Sequence, residues 1–220
     1  MNTLISLAAG AVILSAGAAS AATTEYTFQF GNNDFGHGSG DHASIAVSSV
    51  EDAAFSVTLD AFYYNTGAAT FSTTGDADVD FNYWGIVSKN GAYDHHYIDS
   101  KDAEAVTFDF GSNAVKITEV VLNYVFGYND MAMVALYADG ALHSTQIVGD
   151  PVTLDYSAAG EHSLFAIGAM NYGNYYTGIK IQSMKVEYTV PEVVPLPAAG
   201  WLLVGGLGGL VALKRRRNKA

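Results

Sequence analysis

Cysteine is absent from the chain, which excludes a disulfide framework, a catalytic thiol and any thiolate metal site. Proline is scarce: there are four, and only Pro151 precedes Pro191. Positive charge is the third shortage. Of ten Lys and Arg, five (Lys214, Arg215, Arg216, Arg217 and Lys219) crowd into the last seven residues. All 22 acids lie between Glu25 and Glu192, against Lys89, Lys101, Lys116, Lys180 and Lys185 alone, so that segment carries minus 17 with histidine neutral. Such a field repels phosphate backbones and anionic membrane surfaces, which excludes nucleic acid as a partner, and it attracts divalent cations. Catalytic signatures are missing too. There is no Gly-x-Ser-x-Gly elbow, and Gly36 to Gly40 has neither Rossmann spacing nor a P-loop lysine. With so many carboxylates, pairs at glycosidase separation arise by chance. The chain is therefore read as not an enzyme, with a secreted hydrolase third among three functional readings.

What is present starts with two apolar ends. Leu4 to Ala18 is an uncharged run of signal-peptide length, and Ala19-Ser20-Ala21 puts small residues where a signal peptidase reads, with cleavage before Ala22. Residues 1–21 are thus expected to be removed, although Met1-Asn2-Thr3 brings no Lys or Arg. At the other end, Leu196 to Leu213 is eighteen residues without a charge. As a helix it rises roughly 27 Å, enough to span a bilayer core. Backbone groups in lipid must pair within the segment, so a helix is expected despite five glycines between Gly200 and Gly209. The cations that follow belong on the cytoplasmic side. Gly205 and Gly209 stand at a small-xxx-small spacing that paired helices use.

Val194-Pro195-Leu196-Pro197-Ala198, one apolar span and the cluster Lys214-Arg215-Arg216-Arg217, in that order at the C-terminus, resemble the VPLPA variant of the PEP-CTERM sorting signal. The resemblance covers 27 of 220 residues. It implies a Gram-negative, exopolysaccharide-producing source, export through the inner membrane, and a membrane-anchored intermediate whose tail a transpeptidase-like exosortase recognises and removes. Signal peptidase and exosortase are then partners during export, the membrane a partner through the C-terminal helix before processing, and extracellular polysaccharide a partner at the cell surface. In this scheme residues 191–197 are a stiff spacer carrying the sorting motif, since each proline pushes the preceding residue toward extended backbone. Residues 198–213 are the transmembrane helix and 214–220 a basic cytoplasmic tail.

Between the ends, residues 22–190 make one domain with a sizeable core. Their dominant period is two. Tyr26, Phe28 and Phe30 alternate with polar neighbours, as do Phe55, Val57, Leu59 and Ala61, and Val106, Phe108 and Phe110. Further strands are expected at Ala43–Val47, Phe81–Val87, Lys116–Phe126, Met131–Ala138, Val152–Tyr156, Ser163–Met170 and Gly178–Val190. Turn clusters such as Asn65-Thr66-Gly67 and Ala138-Asp139-Gly140 separate them, and no stretch reads as an amphipathic helix. The expected fold is all-β, an antiparallel two-sheet β-sandwich of jelly-roll type, with the C-terminal transmembrane helix appended. In the last strand the apolar phase changes: Ile179 and Ile181 share one parity, Met184, Val186, Tyr188 and Val190 the other. One extra residue at Gln182-Ser183 would return both sets to the core, which predicts a β-bulge there.

Three groups of residues bear on binding. Asp94, Asp99, Asp102 and Glu104, with Asn129 or Asp130 from a neighbouring loop, offer the oxygen ligands that calcium takes, without the spacing of an EF-hand; the plain alternative is solvated acids ending strands. The surrounding order of Tyr83-Trp84-Gly85, acidic loop and apolar strand resembles ectodomains found ahead of such tails, a group to which no activity is attached. His37, His42, His95 and His96 would need to converge to hold zinc, and their glycine-rich or polar setting reads as surface instead. Tyr172, Tyr175 and Tyr176 lie in a turn-rich loop with Asn171 and Asn174. Aromatic faces beside amides suit sugar rings, and Phe62-Tyr63-Tyr64 forms a second aromatic cluster. The leading expectation is a structural or adhesive protein of a biofilm or exopolysaccharide layer. The alternative is a calcium-dependent carbohydrate-binding module.

Overall fold

In the computed structural model the described residues are 21–31, 44–82, 85–89, 97–127 and 129–190. Residues 1–20, the spacer with Val194–Ala198, the expected helix 198–213 and the basic cluster Lys214–Arg217 lie outside them. So do Asp94, His37, His42, His95 and His96. Among the described residues no helix is long and apolar enough to cross a membrane.

The unit Thr23–Thr189 is all-β, and its strand pairs are antiparallel. Its strands are β1 (Thr23–Gln29), β2 (Ser44–Ser48), β3 (Ser56–Tyr64), β4 (Thr73–Asn82), β5 (Gly85–Lys89), β6 (Ile98–Asp99) and β7 (Glu104–Asp109). They continue with β8 (Val115–Phe126), β9 (Met131–Ala138), β10 (Ala141–Gly149), β11 (Val152–Leu154), β12 (Leu164–Met170) and β13 (Gly178–Thr189). The order is β10-β9-β12-β7-β3-β4-β5-β13-β8-β11, with β2 also on β3, and β1 and β6 also on β13. The strand system turns over at β4. Its first half, to Ala77, pairs with β3, whereas Asp78 to Asn82 pair with β5. Two faces result, with one apolar core shared by both.

Period-two alternation fills that core. Val57, Leu59, Val106, Phe108, Phe165 and Ile167 come from one face, and Phe28, Ile117, Leu122, Ile179 and Ile181 from the other, all with no solvent exposure. Each buried side chain of this size contributes roughly 1.5–3 kcal/mol relative to staying in water.

The bulge expected in β13 is present, and it is one of three. Ile181 pairs with Leu122 and Ser183 with Val121, so Gln182 is the extra residue. On β8, Asn123 and Thr118 are skipped in the same way, between Tyr124 and Leu122 and between Glu119 and Ile117. The displacements match. Val125 stays opposite Ile179, Leu122 opposite Ile181, Val120 opposite Met184 and Ile117 opposite Val186, and all eight are buried. The Gln182 carbonyl accepts the Phe30 N–H at 2.7 Å. Against the bulge lies Gly85, at φ +140°, where a Cβ would stand 2.3 Å from the Ile181 carbonyl oxygen. Only glycine fits that approach.

Some elements depart from the sequence reading. The strand expected over Phe81–Val87 is instead the turning point of the β4–β5 hairpin, with Asn82 paired to Gly85 and Phe81 to Ile86. Apolar residues that seemed to follow one another along a strand face each other across two. β6 and β10 were not expected at all. Of the turns, Ala138-Asp139-Gly140 behaves as its composition asks: Asp139 (φ 44°) and Gly140 (φ 81°) are both left-handed, the geometry of a two-residue type I′ hairpin. The Asn65–Ser72 segment does more than turn. It crosses the outer face of β9 and β12 as a strap, with the Leu142 N–H on the Ala69 carbonyl (2.8 Å) and the Phe71 N–H on the Gly140 carbonyl (2.6 Å). Beneath it Tyr64, Tyr137, Ala105, Ala135 and Ala166 form a second, smaller core.

Candidate functional site

The acidic loop and the tyrosine loop, seventy residues apart in sequence, meet at one end of the fold. Their junction is reciprocal: the Ser100 N–H donates to the Thr177 carbonyl (2.8 Å), and the Thr177 N–H donates to Ser100 Oγ (2.9 Å). Thr177 Oγ1 also donates to the Met170 carbonyl (2.7 Å). Thr177 is fully buried, so it fixes the loop between β12 and β13 at its base. Gly127 brings the β8–β9 turn close, since a Cβ there would lie 3.1 Å from the Thr177 methyl.

Above that base Tyr172 and Tyr175 exchange backbone hydrogen bonds of 3.2 Å across a two-residue turn, with Gly173 at φ +65°. Tyr172 is half-buried, while Tyr175 and Tyr176 remain 50% and 58% exposed. Asn171 and Asn174 flank them, also exposed. The loop thus presents aromatic faces beside amides on a tied backbone, the arrangement sugar rings stack against. Phe62-Tyr63-Tyr64 does not join this surface. Tyr64 is buried, its hydroxyl donates to the Ala169 carbonyl (2.9 Å), and its burial pushes the phenol well above the ordinary tyrosine range. A Cβ on Gly168 would sit 2.7 Å from its ring. Tyr64 packs beneath the strap, and Tyr63 packs against the main core.

Of the carboxylates expected as calcium ligands, Asp99, Asp102 and Glu104 are tied together by hydrogen bonds, and Asp94 lies outside the described residues. Asp99 Oδ1 accepts the backbone N–H groups of Lys101 (2.9 Å) and Asp102 (3.0 Å), so it closes its own loop. Glu104 shares the face of β7 that Val106 and Phe108 turn to the core, and it is fully buried. Its Oε2 accepts the Asp99 N–H at 3.1 Å. Asp130 lies in the β8–β9 turn, its N–H on the Gly127 carbonyl (3.3 Å), and its charge acts on Asp150, whose pKa is raised by burial first and by Asp130 second. Among the described residues no three His, Asp or Glu side chains come together to hold a metal.

One feature of this end was missed. Lys180 is buried on β13 with its ammonium 4.5 Å from the centre of the Tyr97 ring, and burial pushes its pKa down. Tyr97 in turn lies 4.7 Å from the Phe126 ring. The parity of β13 was the available signal: Lys180 falls between Ile179 and Ile181, so it had to face outward into whatever covers that strand. No protein-family model, no curated protein and no solved structure matches this chain.

Proposed function

We propose that the chain is an exported, acidic β-sandwich protein, sorted by its C-terminal signal to the cell surface or extracellular matrix, where it has a structural or adhesive role in an exopolysaccharide layer. One observation carries the reading. The strand-bearing unit runs from Thr23 to Thr189, so it begins one residue after the expected mature N-terminus at Ala22 and ends just before the proline spacer. In sequence, the two address segments lie on either side of that unit. A jelly-roll connectivity is supported by the strand orders β6-β13-β8-β11 and β7-β12-β9-β10, an arrangement of eight successive strands over two sheets. Mass spectrometry of the protein recovered from the producing cells tests the sorting. The expected mature form starts at Ala22 and lacks the C-terminal apolar span and basic cluster. An external protein that keeps Met1 or ends at Ala220 would overturn it.

A second reading, a carbohydrate-binding module, is favoured by the exposed Tyr175 and Tyr176 on their tied loop. Tyr175→Ala with Tyr176→Ala is expected to abolish retention on the producer's own polysaccharide while the fold persists. Retention unchanged by the double substitution would remove this reading.

A further inference from the structure

We infer that β10 is a self-association edge: two copies of this chain pair β10 with β10, antiparallel about a two-fold axis, so that one sheet runs continuously through both. The argument starts from the backbone. β10 ends the strand order and pairs with β9 alone. On its other flank the strap reaches only the first two residues, through the Thr70–Ala141 bridge and the Ala69–Leu142 hydrogen bond. The β9–β10 register shifts at His143, and from Ser144 to Gly149 it is regular against Leu136 to Met131. Among the described residues nothing pairs with the outer flank of these six. Alternate N–H and C=O groups there are open to another strand, and such an edge is a template for pairing.

The usual protections are missing from it. Residues 144–149 hold no lysine, no proline and no inward-pointing charge. The opposite end of the strand order differs: β11 has three residues, follows Pro151 and lies between Asp150 and Asp155. Charge selects the occupant. β10, β9 and β12 contain no Asp, Glu, Lys or Arg in a segment of minus 17. Two copies of so acidic a chain repel each other over most of their surface and least along this side. Ile147, 51% exposed, is opposite Met133, which is opposite Met170, and a second copy would cover the open end of that apolar row. A two-fold normal to the sheet keeps outer faces together, so opposed residues share parity. In a six-residue segment the axis then passes at Gln146 or at Ile147.

The absence of native cysteine makes single-cysteine probes clean. The full-length chain, held in a mild detergent, is expected to sediment as a dimer. Mild oxidation is expected to cross-link either Gln146→Cys or Ile147→Cys and to leave Thr153→Cys, on β11, uncross-linked. Ile147→Lys is expected to give a monomer with an unchanged β-sheet circular dichroism spectrum, and Thr145→Lys, at a second exposed position, the same. A monomeric parent chain overturns the inference. So does a dimer that survives both lysine substitutions, which would place the contact elsewhere, including in the C-terminal segment. The inference does not rest on the sorting reading, and the processed ends of the chain have no bearing on it.

Discussion

His162 stands between two groups that only accept hydrogen bonds. Its Nδ1 is 2.7 Å from Asp139 Oδ2 and its Nε2 is 2.9 Å from the Ala159 carbonyl. Both contacts are satisfied together when both ring nitrogens carry protons, which is the imidazolium. The hydrogen bond to Asp139 leads the causes that raise its pKa above the ordinary histidine value, and partial burial opposes it. A folded-state pKa above the unfolded one adds stability that is complete below the unfolded value, near 6.5, and is lost as pH rises through the raised value. Thermal melts are therefore expected to show a decline as pH rises above about 6.5 that Asp139→Asn flattens. Asparagine keeps the left-handed turn position but not the charge. The decline should stay below about 1 kcal/mol, as for ion pairs near water, and an equal slope in both proteins would reject the assignment. Nothing in the sequence joins a hairpin tip to a histidine 23 residues away.

At the level of the strands, the bulge at Gln182 gives a sharper test. Inserting one alanine after Gln182 shifts every later residue of the strand by one place, which would turn Met184 and Val186 from the core to the outer face. Two fully buried side chains are then lost, a cost of roughly 3–6 kcal/mol at 1.5–3 each, enough to unfold many single domains. Deleting Gln182 instead leaves Met184 and Val186 in phase with Ile181 and forfeits the hydrogen bond from the Phe30 N–H, a cost of about 1 kcal/mol. Urea denaturation midpoints distinguish the two, and a tolerated insertion would show that the register can slip. The β13 bulge was legible because its apolar residues change parity in plain view. Those in β8 left the same mark, Val115 and Ile117, then Val120 and Leu122, then Val125, but the mark was hidden in an almost continuous apolar run. β4 escaped notice for another reason. Its core residues Ala77 and Val79 alternate with Asp76, Asp78 and Asp80, and aspartate disfavours strands. β10, an edge strand with one buried residue, Val148, had no alternation to find. The meeting of the acidic and tyrosine loops was beyond any local pattern, since a hydrogen bond between Ser100 and Thr177 spans 77 residues.

For the molecule as a whole, charge is the controlling quantity. Among the described residues lysine finds carboxylate partners in Lys116–Glu187 and Lys185–Glu119, both directly across β8 and β13. Elsewhere acids crowd acids. Burial raises the Asp60 pKa and the Asp76 charge raises it further. Screening that repulsion should stabilise the fold, because the Debye length falls from about 30 Å at 0.01 M to about 8 Å at 0.15 M. The melting temperature is expected to rise over that range, by about 2–4 °C for each kcal/mol of repulsion relieved. A flat or falling profile would show that the lysine pairs outweigh the excess of acids. The position of β13 has a different consequence, for the timing of assembly. It is the last strand among the described residues, with 31 residues after it, yet β1, β5, β6 and β8 all pair with it, and its pairing with β1 closes a separation of 166 residues. A polypeptide that emerges or is threaded amino end first must therefore wait, with one whole sheet unassembled, until almost its full length has passed. The same late closure that slows folding would keep it pliable during passage.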